Sequence, residues 1–87
     1  MKAINFEIIR NLDTSLCYND ILCFFKVLKM TFSTDELVND ILKCSYSSFY
    51  SFNQKAKHGI ILSGKVYKRL LKLYTYNKSG VWDNVGK

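Results

Sequence analysis

Between residues 41 and 82 the chain has no aspartate and no glutamate, yet it places Lys43, Lys55, Lys57, Lys65, Lys68, Arg69, Lys72 and Lys78 there. Cations without acids cannot neutralise one another. Such a half carries the electrostatic footprint of a protein that meets a polyanion. Residues 1–40 oppose Lys2, Arg10, Lys26 and Lys29 with Glu7, Asp13, Asp20, Asp35, Glu36 and Asp40, so the net charge of +6 comes from one side of the sequence. A solvated charged face accounts for the same composition equally well.

Other absences narrow the function classes. No apolar run approaches the ~20 residues of a membrane span. The longest, Ile21 to Phe25, is bounded by Asp20 and Lys26. The N-terminal MKAINFEII is broken by Asn5 and Glu7 and does not read as a signal peptide, so a soluble, cytoplasmic protein is expected. His58 is the only histidine. No carboxylate pair falls in an expected cleft, and no glycine motif could cradle a phosphate. Cys44 and His58 would need a third, orienting group to act as nucleophile and base. An enzyme is therefore not expected, and no cofactor is implied. The three cysteines are odd in number and lack C-x-x-C, which points to reduced thiols acting as small buried hydrophobes. Cys17, Cys23, Cys44 and His58 also lack the short knuckle spacing of a zinc site, so no metal is expected.

A chain of 87 residues is one domain, 1–87. It buries only about 60–65% of its unfolded surface, enough for one modest core. Ala3-Ile4-Asn5-Phe6-Glu7-Ile8 alternates apolar and polar, as a short strand does. From about Ser15 to Met30 the spacing turns helical, with Ile21, Phe24, Phe25 and Leu28 on one face. Ser33 and Glu36 form a capping-box pair, flanked by Phe32 and Leu37 at staple positions, and predict a helix through Ile41 that ends near Lys43.

The stretch CSYSSFYSFNQKAKHG, residues 44–59, alternates serine with aromatics like a strand. A strand would separate Phe49 from Phe52. A helix capped by Ser45 puts both on one face, turns Tyr46, Ser47, Tyr50 and Gln54 away from it, and stops at Gly59, so the helical phase is preferred. Ser63 is the next expected N-cap, before a stripe of Val66, Leu70, Leu73 and Tyr74. Tyr74 to Asn77, a turn at Lys78-Ser79-Gly80, and Val81-Trp82 read as a terminal hairpin. The expected class is mainly α: a small helical bundle with short strands at both ends.

A capped helix, a three-residue turn and a second short helix make the helix-turn-helix plan. Residues 36–50, ELVNDILKCSYSSFY, resemble the Cro/repressor-type (XRE-like) helix-turn-helix family, with Leu42, Cys44, Phe49 and Phe52 at its buried positions and Ser45 at its cap. The resemblance covers about residues 15–75. The family's small alanine falls on Asn39, which would need a polar partner, and its turn glycine falls on Lys43, where positive φ costs about 1 kcal/mol.

The resemblance implies a sequence-specific regulator that binds double-stranded DNA, commonly as a homodimer. The helix at about 45–57 would lie in the major groove, with Tyr46, Ser47, Tyr50 and Gln54 at base edges. Lys55, Lys57, Lys65, Lys68 and Arg69 would hold phosphates. A second class stays open. Abundant Asn, Lys, Ile, Phe and Tyr and the absence of proline suit an AT-rich phage or mobile element, and such elements encode protein-binding inhibitors of host defence complexes, anti-CRISPR proteins among them. Its tyrosine-rich surface suits that role too.

Overall fold

The computed structural model describes residues 6–18 and 20–80, the side chain of Phe6 excepted. These residues form α1 (Phe6–Arg10), α2 (Ile21–Thr31), α3 (Thr34–Glu36) continuing into a π-helical turn (Leu37–Ile41), α4 (Tyr46–Ala56) and α5 (Lys65–Ser79). No strand occurs among them.

α5 is the hub. It packs against α1, α2 and α4, and its Leu70 and Leu73 are fully buried. α2 brings Phe24, Phe25 and Leu28 against it. Phe24 meets the Tyr74 ring at 4.8 Å, while Phe25 meets Phe52 at 5.0 Å and Phe49 at 5.9 Å, both edge-on. Each such aromatic is a large share of a small core, and truncation to alanine costs about 3–5 kcal/mol.

Caps set the helix starts. The Asp20 carboxylate accepts from the amides of Leu22 and Cys23, so α2 begins at Ile21 rather than near Ser15 as expected. Residues 15–18 are turns. The Ser33–Glu36 capping box forms with both hydrogen bonds in place. The Ser45 hydroxyl accepts from the Ser48 amide and starts α4. Gly59, at φ 74°, closes the turns after α4 while the Ile60 amide reaches back to the Lys55 carbonyl.

Several expectations are corrected. Residues 6–10 are helical, not extended: Ile9 is fully buried, whereas Ile8, on the expected buried side of a strand, is 45% exposed. Residues 3–5 lie outside the described residues. The terminal hairpin is replaced over Tyr74–Ser79 by the last turns of α5, because Tyr74 extends the apolar stripe by one turn and Gly80 ends it at φ 72°. Val81 and Trp82 lie outside the described residues. Ser63 does not cap α5; Gly64 occupies that position without a side-chain bond. Cys17 and Cys23 are paired in a disulfide with Cα atoms 5.4 Å apart, against the expectation of three thiols, and Cys44 remains free.

Asn77 explains how the N-terminal segment is held. Its amide donates to the carbonyls of Ile9 (2.6 Å) and Leu12 (3.2 Å), and its oxygen accepts from the buried Thr14 hydroxyl at 2.6 Å. One side chain thus satisfies three groups that the core would otherwise strand.

Candidate nucleic-acid interface

The turn between the π turn and α4 decides how α4 is presented. The π turn closes with the Leu42 amide on Leu37 and the Cys44 amide on Val38. Lys43 takes φ 51°, the left-handed region that favours glycine. A helix end leaves its last carbonyls without intrahelical donors. Arg69 supplies one: its Nε donates to the Ile41 carbonyl at 2.7 Å. Burial pushes the guanidinium below its ordinary value. Arg69, expected on a phosphate, thus ties α5 to the end of the π turn.

Tyr46 is likewise engaged. Its hydroxyl donates to the Asp35 carboxylate and accepts from the Asn39 amide at 3.4 Å. Asn39, expected where two helices approach closely, is exposed instead, so this contact meets no burial demand; the bond to Asp35 raises the Tyr46 phenol above its ordinary value. Tyr46 therefore braces α4 against the preceding helical segment, and its hydroxyl is not free for a base edge.

The remaining expected residues share a different environment. Phe49 and Phe52 point inward, and Ser47, Tyr50 and Gln54 are exposed on the opposite side of α4. Among the described residues none of these three makes a side-chain hydrogen bond. Lys55 and Lys57 lie at the C-terminal end of α4, and Lys65 and Lys68 on the first turns of α5; all are exposed, and no described carboxylate pairs with them. Lys78 differs: its ammonium lies 3.4 Å from the Thr14 carbonyl and 5.3 Å above the Tyr74 ring.

A cleft of about 320 Å³ separates α4 from the start of α5, with Ser47, Ser48 and Ser51 on one wall and Ser63, Gly64 and Lys65 on the other. Ile60, Ile61 and Leu62, in the connection between these helices, are 49%, 43% and 39% exposed. Burial raises the Cys44 thiol, which disfavours a nucleophilic thiolate. No group of three His, Cys, Asp or Glu side chains converges among the described residues, and no described helix is long and apolar enough to cross a membrane.

Comparisons with protein-family models, curated proteins and solved structures give no match to this chain.

Proposed function

We propose that this protein is a small double-stranded DNA-binding regulator of helix-turn-helix type, with α4 presented to the major groove. The observation that carries the reading is the outer face of α4: Ser47, Tyr50 and Gln54 are exposed and unbonded, and Lys55 and Lys57 at the end of α4 and Lys65 and Lys68 on the first turns of α5 are exposed with no described acid paired to them. Gln suits adenine in the major groove, Ser suits either base type, and Tyr packs on a thymine methyl or reaches a phosphate. The lysines position the protein without specifying sequence. The hydroxyl of Tyr46 and the guanidinium of Arg69 belong to the scaffold that presents this face. A homodimer on two half-sites is the assembly that suits so small a reader.

The test is selection of binding sites from random duplexes, followed by variants. Gln54→Ala should cost about 1–3 kcal/mol on the selected site and little on random DNA. Lys68→Ala should weaken all sequences alike and lower the salt slope by about one unit. Failure to enrich any sequence would remove the sequence-specific reading.

The second reading is a protein-binding inhibitor of a host defence complex. The exposed Ile60-Ile61-Leu62 run beside the basic face favours it, since apolar residues ringed by charge suit a protein interface. It predicts capture of a protein from a bacterial lysate that survives nuclease treatment.

A further inference from the structure

A second cleft, of about 490 Å³, lies on the other flank of α4, between it and α2. Leu22, Cys23 and Ala56 contribute apolar lining. Lys26, Lys29 and Lys57 line it as well. The helical repeat accounts for the first two, because Leu22, Lys26 and Lys29 recur at i, i+4 and i+7 along one face of α2. Lys57 is the C-cap residue of α4. The two helices are joined at this point by the Lys29 ammonium, which donates to Asn53 Oδ1 at 2.8 Å and lies 4.8 Å from the centre of the Phe25 ring.

Like charges brought together repel. The Lys29 ammonium is pushed below its ordinary value first by burial, then by Lys57 and Lys26. The acid lining the cleft, Asp20, has its carboxylate turned to the Leu22 and Cys23 amides at 3.0 and 3.4 Å, where it caps α2. No described carboxylate pairs with any of the three lysines. A fold that gathers three ammonium groups around a hollow gains by holding an anion there.

We propose that the cleft between α2 and α4 binds a phosphate group, held by Lys26, Lys29 and Lys57. Its volume falls in the range of about 300–1,000 Å³ common to small-ligand sites, so a phosphate enters with its ester substituents. Either the backbone of a duplex or a free phosphate could supply the group. The duplex form rests on the DNA reading above and extends it, because it makes α2 part of the clamp, on the opposite flank of α4 from the serine-lined cleft.

Two measurements separate the sources, both using the full chain. The first is anisotropy of a labelled random-sequence duplex across salt, with wild type and Lys26→Ala; Lys26 is exposed, so the variant keeps its core. Lys26→Ala should lower the salt slope by about one unit and weaken binding several-fold at low salt. The second is titration of inorganic phosphate, followed through the backbone amide signals of residues 22–29 and 56–57. Saturable shifts there that Lys26→Ala abolishes support the cleft. Phosphate shifts with an unchanged duplex slope also support it and assign free phosphate as the ligand. Absence of saturable shifts together with an unchanged slope overturns the proposal. If the wild-type protein binds no duplex at all, the DNA reading fails, and the phosphate titration decides the cleft alone.

Discussion

Arg69→Met removes the guanidinium with its hydrogen bond to the Ile41 carbonyl and leaves most of the aliphatic packing in place. The Nε of Arg69 donates to the Ile41 carbonyl at 2.7 Å. A hydrogen bond with a charged donor contributes about 1.5–3 kcal/mol to stability. Part of that is offset, because the half-buried guanidinium is disfavoured by its burial and methionine carries no such penalty. The expected loss is therefore about 1–2 kcal/mol. At about 4–8 °C per kcal/mol for a domain this size, the melting temperature should fall by roughly 5–15 °C. Lysine should not rescue it, because its ammonium lacks the fixed fork of donors that guanidinium presents. Circular dichroism melts supply the stability readout, and duplex titration across salt supplies the control. The expected result is a lower melting temperature with an unchanged salt slope. A variant that melts like wild type but loses a unit of slope would return Arg69 to a phosphate and refute the scaffold role.

Tyr46→Phe tests the brace between α4 and α3. The Asp35 bond raises the folded phenol above its unfolded value of 10.0. The stability from that bond is then fully present below that pH and is lost as pH rises through the folded value. Denaturation should show the gap between wild type and Tyr46→Phe closing under strongly alkaline conditions; a gap that stays constant with pH contradicts the bond. Asn77→Ala should cost about 2–4 kcal/mol, because at least one carbonyl and the Thr14 hydroxyl lose buried partners. Urea unfolding reads this, and a loss under about 0.5 kcal/mol would mean that water replaces the amide. Thiol titration of the denatured protein should find one reactive cysteine before reduction and three after, since Cys17 and Cys23 are paired; three thiols without reductant would contradict the pairing.

Local chemistry was legible in the sequence and long-range chemistry was not. The Ser33–Glu36 box, the Ser45 cap and the Gly59 stop are written within four or five residues, and each forms as expected. The split of residues 44–59 into an inner face of Phe49 and Phe52 and an outer face of Ser47, Tyr50 and Gln54 followed from helical period alone. Arg69 could not be read in this way. Its acceptor, the Ile41 carbonyl, is one of the helix-end carbonyls that lack an intrahelical donor, and which distant side chain reaches it is set by the packing of α5, 28 positions away, which no local spacing announces. The two terminal segments misled for a different reason. A few alternating residues fit a strand as well as a helix, and Asn77, 68 positions from its acceptor Ile9, decides the matter through contacts that only the folded chain makes. Lys26 and Lys29 sit in the half of the sequence where acids outnumber bases, so composition does not mark them; in space they line one cleft with Lys57 from the basic half.

The most direct test of the central claim is the salt dependence of binding to a random-sequence duplex. Lys55, Lys57, Lys65 and Lys68 on phosphates predict a slope of log K against log salt of about −3.5, and contributions from Lys26 and Lys29 would carry it toward about −5.5. A slope in that range supports a polyanion-binding surface built from unpaired lysines around α4. A flat slope, or no binding at low salt, contradicts it.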